Sequence, residues 1–202
     1  MIQDFCKRYC FLVLLLPLVA CGVSQSPPNV VFILADDLGW MQTSAYGSSY
    51  YQTPNIDRLS EEGVRFTDAY AACAVCSPTR ASIMTGKYPV RLHLTDYIPG
   101  EDPDDKALLE ADWQKYLPLK EFTLGELFRE QGYQTASFGK WHLSADKFGP
   151  ESHPFNPDKQ GFDEFFITDK PTSHHDPNGD PSSSDSIGNT TVRFIRENAD
   201  HP

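Results

Sequence analysis

Cationic side chains are scarce in this chain of 202 residues: 17 Lys and Arg stand against 28 Asp and Glu, giving a net charge of −11 and a pI near 4.8. A general nucleic-acid binder needs a basic face to neutralise phosphates, so that class is excluded. Usable cysteine is also sparse. Of five cysteines, Cys6, Cys10 and Cys21 lie in or beside an N-terminal apolar run, which leaves Cys73 and Cys76. A structural zinc site would need a second ligand pair, and the adjacent His174 and His175 are poorly spaced to complete a tetrahedron. The flanks also lack the βαβ context of a thioredoxin-like dithiol, which argues against a redox role. Internal repeats are absent, and no apolar run in the chain is long enough for a membrane span. What is present, 40% hydrophobic and 12% aromatic residues, suffices for one sizeable core.

Lys7 and Arg8 precede an apolar run over 11–16 that is too short to cross a bilayer, followed by Leu18-Val19-Ala20-Cys21. That order, charge then apolar run then small residues, reads as a secretory signal over residues 1–20. The ending resembles a bacterial lipoprotein signal, in which Cys21 becomes the lipidated first residue. Residues 21–28 then form a tether, and 29–202 form the folded part. The expected location is the cell envelope, after export, with a membrane anchor through Cys21.

Residues 29–34 are continuously apolar and β-branched, which predicts a strand buried on both faces, as in a parallel sheet covered by helices. Asp36 and Asp37 follow directly. Open α/β sheets build their sites beyond the carboxyl ends of strands, so this pair stands where a ligand or metal would be held. Adjacent carboxylates repel unless a cation lies near, and hard oxygen donors favour Ca²⁺ or Mg²⁺. Thr53, Pro54 and Gly63 bracket a helix with Ile56 and Leu59 on its apolar face, and 64–70 alternates like a strand.

Cys76-Ser77-Pro78-Thr79-Arg80 organises the rest. Ser77 is a good N-cap, Pro78 suits the first helical position, and Gly86 sits where the helix would stop. Cys76 is thereby placed at a helix mouth, where unpaired N–H groups and the helix dipole favour an anion, and Arg80 adds a charge one turn on. Arg80, Lys87 and Lys140 are the cations nearest candidate motifs.

Further along, residues 100–118 predict a surface excursion with a short helix. Thr123 and Glu126 form a capping box opening a helix that Gly132 closes, and 132–138 predicts a strand. At its end stand Lys140, Trp141 and His142. An extended backbone there would turn Lys140 and His142 to one side and Trp141 to the other. Residues 161–166 predict a turn into a short strand with core aromatics, 168–187 a loop carrying His174 and His175, and 191–198 a helix burying Val192, Phe194 and Ile195. The 189–191 stretch matches a glycosylation sequon, of little weight beside a bacterial type of signal.

Together, Asp36-Asp37, Cys76-x-Pro78-x-Arg80 with Thr85-Gly86-Lys87, and Gly139-Lys140-Trp141-His142 resemble the sulfatases of the alkaline-phosphatase superfamily. The resemblance runs from about residue 29 onward, and the order and spacing of the motifs are highly specific. It implies an α/β fold, a mostly parallel sheet flanked by helices. It implies that a maturation enzyme converts Cys76 to formylglycine, whose hydrate attacks sulfur to form a covalent sulfo-enzyme. Asp36, Asp37 and modified Cys76 would bind Ca²⁺ or Mg²⁺; Arg80 would steady them; Lys140 would neutralise sulfate charge; His142 would hold the second hydroxyl. The implied substrate is a sulfate ester, expected to be a sulfated carbohydrate. In complete sulfatases a further His, Lys and an Asp-Asn pair lie downstream of the point this chain reaches, so the expectation is a fragment, incomplete at its C-terminus. Two alternatives stand: an inactive lipid-anchored anion-binding protein, and a phosphonate or phosphodiester hydrolase of the same superfamily.

Overall fold

The computed structural model describes residues 27–100, 108, 111–144, 154–168 and 184–201. The signal segment, Cys21, His174 and His175 lie outside the described residues. The elements in chain order are α1 (Pro54–Glu62), α2 (Cys76–Thr85), α3 (Pro89–Leu92), α4 (Leu124–Glu130), β1 (Ala136–Gly139), β2 (Glu164–Ile167) and α5 (Ser184–Glu197), with 3-10 turns at Trp40–Gln42, Ser44–Tyr46 and Pro157–Gln160. β1 and β2 pair in parallel, Ala136 opposite Glu164 and Gly139 opposite Ile167. A parallel pair needs a crossover, and here the connecting chain carries the 3-10 turn at Pro157–Gln160.

The core forms where α2 meets the chain after α3 and the chain after β1. Ala81, Leu92, Leu94, Leu117, Trp141 and Leu143 are buried together, with Met84, Phe162 and Ile167 packed against them. Trp141 meets Phe162 edge to face at 6.0 Å and donates its indole N–H to the Phe155 carbonyl at 2.9 Å, which satisfies the one polar group its burial would otherwise strand. The apolar residue in Lys140-Trp141-His142 thus anchors the segment, and its neighbours are placed by that anchor.

α4 begins as its sequence requires. Thr123 Oγ1 accepts from the Glu126 N–H at 3.3 Å, and Glu126 Oε2 accepts from the Thr123 N–H at 2.8 Å. The Thr123 hydroxyl is buried and also donates to the Gln160 carbonyl at 2.6 Å, tying α4 to the 3-10 turn. That approach demands glycine: Gly161 has φ 91°, and a Cβ on it would stand 2.1 Å from the Glu126 nitrogen.

Several expectations are corrected. Residues 29–34 join no strand among the described residues, and Val30, Val31, Phe32 and Ile33 are exposed. Their apolarity favours burial without naming a partner, and among the described residues β1 and β2 pair only with each other. Residues 64–70 likewise form no strand, with Val64 and Phe66 exposed, and no helix lies in the described part of 100–118. Ile56 and Leu59 on α1 are exposed. α5 starts earlier than expected, and its partly buried face carries Ile187, Thr191 and Phe194, the last edge to face with Phe138 at 5.9 Å, while Val192 and Ile195 are exposed. In β2 the aromatics are only partly covered, Phe166 being exposed. No helix among the described residues is long and apolar enough to cross a membrane.

Candidate active site

The site is built at the N-terminus of α2. The helix begins at Cys76 itself, with Val75 as the extended residue before it, so Ser77 lies inside the first turn and does not cap. Its hydroxyl instead accepts the Ile98 N–H at 3.0 Å, deep in the interior. Pro78 still falls where a missing N–H costs nothing, and Gly86 closes the helix at φ 67° with its N–H on the Ser82 carbonyl. Thr79 Oγ1 donates to the Cys73 carbonyl at 2.8 Å, holding the approach to the helix.

Three segments converge on this mouth. The turn after 29–35 supplies Asp36 and Asp37, the latter at φ 56° in the left-handed region that Asp tolerates better than most residues. The end of β1 supplies Lys140, and α2 supplies Cys76 and Arg80. Lys140 Nζ donates to Asp36 Oδ2 at 2.5 Å and to Cys76 Sγ at 3.2 Å. Arg80 donates through one arm to Asp36 Oδ1 at 3.0 Å and through the other to the Lys140 carbonyl. Arg80 is buried, at 8% exposure, so it reaches from the interior to the exposed Asp36 carboxylate and to the Lys140 carbonyl.

Electrostatics follow from those contacts. Burial works to raise the Asp36 pKa, yet hydrogen bonds from Lys140 and Arg80, with their charges, hold it below the ordinary 3.8. Burial works to lower the Lys140 pKa, yet hydrogen bonds to Asp36 and Cys76 raise it above the ordinary 10.5. Both groups are therefore charged at neutral pH. Ligand atoms of Asp36, Asp37 and Cys76 lie within 4.8 Å of one another, a grouping able to hold a metal ion.

Two expected site residues are placed differently. The strand ends at Gly139, whose φ is 105°, and His142 has φ 57°, so the backbone is not extended through Lys140-Trp141-His142. The alternation that would align Lys140 with His142 is lost; His142 is buried with Nε2 on the Ile98 carbonyl. Lys87 sits past the opposite end of α2 and pairs with Glu121. The contacts of Ile98 with Ser77 and His142 had no sequence signal: they join positions 21 and 44 residues apart, and both use backbone atoms on the Ile98 side.

A model of the sulfatase family matches residues 28–202. The chain belongs to the sulfatase family. It is 43% identical over 152 residues to arylsulfatase A of Bos taurus, covering 75% of this chain and 27% of that protein. With N-acetylgalactosamine-6-sulfatase of Rattus norvegicus it shares 37% identity over 162 residues, covering 80% and 29%. Among solved structures, a protein from a glycosaminoglycan-metabolising locus of Bacteroides thetaiotaomicron superposes with a TM-score of 0.58 at 34% identity, covering 72% of this chain and 29% of that one. Ps i-CgsB in complex with a neocarrahexaose superposes with a TM-score of 0.56 at 28% identity, covering 79% and 31%. This sulfatase-family chain thus spans under a third of the length of those relatives, and its α/β architecture with a parallel strand pair flanked by helices agrees with theirs.

Proposed function

We propose that this sulfatase-family chain carries the nucleophile end of a sulfuric ester hydrolase that cleaves sulfated carbohydrate, with Cys76 converted to formylglycine. The observation that carries the reading is Lys140 Nζ, 3.2 Å from Cys76 Sγ and 2.5 Å from Asp36 Oδ2 at the mouth of α2. The sulfur stands in for the hydroxyl oxygens of the hydrated aldehyde. An anion that reacts at position 76 meets the lysine ammonium and the helix N-terminus together.

The donors fit a hard divalent cation. Asp36 and Asp37 supply carboxylate oxygens, and replacing the soft Cys76 sulfur by oxygen makes the trio uniformly hard, as Ca²⁺ or Mg²⁺ requires. When present, the cation supplies polarisation of a sulfate oxygen, and the hydrated formylglycine supplies the attacking hydroxyl. Lys140 binds the sulfate and offsets its charge. Arg80 orients Asp36 and the Lys140 backbone at once through its planar fork. His142 would hold the second hydroxyl of the hydrated formylglycine, whose deprotonation expels sulfate and restores the aldehyde.

A glycan substrate is supported by the relatives named for N-acetylgalactosamine 6-sulfate and for glycosaminoglycan metabolism, and by the neocarrahexaose complex. In the same reading residues 1–20 direct export to the cell envelope, Cys21 carries the lipid, 21–28 tether the folded part, and a sulfatase-maturating enzyme acts on Cys76. The test is to express the protein with and without a maturating enzyme, analyse the Cys76 peptide by mass spectrometry, and assay sulfate release from 4-nitrophenyl sulfate. Loss of the sulfur atom together with sulfate release is expected. An unmodified thiol with no release from the full-length protein overturns the enzyme in favour of anion binding, and turnover of a phosphonate ester in place of the sulfate overturns the substrate.

A further inference from the structure

Ser77 is adjacent to the reactive position and wholly buried, so its hydroxyl answers to protein groups and not to solvent. It accepts the Ile98 N–H at 3.0 Å. Ile98 is equally buried, and its carbonyl meets Nε2 of the buried His142 at 2.5 Å. One residue of an irregular segment thereby spends both of its backbone polar groups on two buried side chains, one beside Cys76 and one beside Trp141. A carbonyl oxygen can only accept, so the imidazole nitrogen facing it must carry the proton. His142 is also held at φ 57°, a conformation that persists in a non-glycine residue only where the surroundings over-determine it.

We infer that Ser77 is a positioning residue for His142, acting through the Ile98 backbone, and that this clamp keeps the neutral imidazole protonated at Nε2 with Nδ1 as its proton acceptor. A ring locked as Nε2–H can take a further proton only at Nδ1. The identity of the basic nitrogen is thus set by a serine beside the nucleophile, through the two peptide units that flank the Ile98 Cα and that no side-chain motif marks. The catalytic meaning rests on the function proposed above; the tautomer and its control by Ser77 do not.

Two-bond ¹⁵N–¹H correlation spectra of the full chain labelled with ¹⁵N-histidine read the tautomer directly, with His142→Gln assigning the resonances. The expected result is a single Nε2–H pattern in the wild type, its loss to a mixed or Nδ1–H pattern in Ser77→Ala, and recovery in Ser77→Thr. An Nδ1–H pattern in the wild type overturns the inference, as does a Ser77→Ala spectrum with the His142 pattern unchanged. If Ser77→Ala does not fold, the wild-type pattern and Ser77→Thr decide. A protein with the expected tautomer and no sulfate release supports the clamp while removing the proposed function, so the two failures are distinguishable.

Discussion

Lys140 Nζ stands 3.2 Å from Cys76 Sγ although 64 residues separate them in the chain. The contact is possible because Trp141 is driven into the core beside Ala81 of α2, which draws the end of β1 against the helix that starts at Cys76. Hydrophobic burial of one residue thus sets the position of the charged residue before it.

Lys140→Met is expected to retain the fold and lose turnover of 4-nitrophenyl sulfate by on the order of 10²–10³-fold, the usual consequence of removing one preorganised group that meets developing charge. Steady-state kinetics on the matured protein measure it. Activity within about twofold of wild type would remove Lys140 from the reaction.

Acid should weaken the site before base does. The folded pKa of Asp36 is depressed, so its contribution to stability is full above the ordinary 3.8 and is lost as pH falls through the lower folded value. The folded pKa of Lys140 is raised, so its contribution is full below the ordinary 10.5 and is lost as pH rises through the higher folded value. The melting-temperature difference between wild type and Asp36→Asn is therefore expected to be flat through the neutral range and to shrink below pH 3.8. A difference that grows on acidification contradicts the sign.

Arg80→Ala removes a buried fork that serves Asp36 and the Lys140 carbonyl. Hydrogen bonds to charged groups contribute about 1.5–3 kcal/mol each, and part of the loss at Asp36 is relieved by solvent, so a destabilisation of about 2–3 kcal/mol is expected in urea unfolding. Arg80→Lys should recover less than half of it, since an ammonium cannot span both partners.

Thr123→Ala should cost about 1–2 kcal/mol by the same measurement, because it removes both the cap of α4 and the bond to Gln160. Gly161→Ala should cost more. Its Cβ would collide with the Glu126 backbone, and its positive φ disfavours any side chain.

Calcium is expected to raise the melting temperature of the matured protein and to have no such effect on Asp37→Ala, since a ligand that binds only the folded state stabilises it by mass action. Differential scanning fluorimetry with and without EDTA checks this. An equal shift in both proteins places the ion elsewhere.

Local chemistry was legible in the sequence. The capping box at Thr123, the glycine stops at Gly63 and Gly86, and the helix opened by Cys76-Ser77-Pro78 each depend on residues within one turn of each other. The motif residues Asp36, Cys76, Arg80 and Lys140 were identifiable by type and order, and the structure brings them into one cluster. Tertiary structure alone decided the rest. Residues 29–34 have strand composition yet find no ladder among the described residues, because a strand is completed by a partner that periodicity does not name. Ser77 is a residue type that suits a cap but spends its hydroxyl on the Ile98 N–H, because the fold brings that buried donor, 21 residues away, against it. His142 leaves the side of the chain shared with Lys140 because its backbone is left-handed there, directly after the Trp141 that the core anchors, and strand alternation does not pass through such a residue.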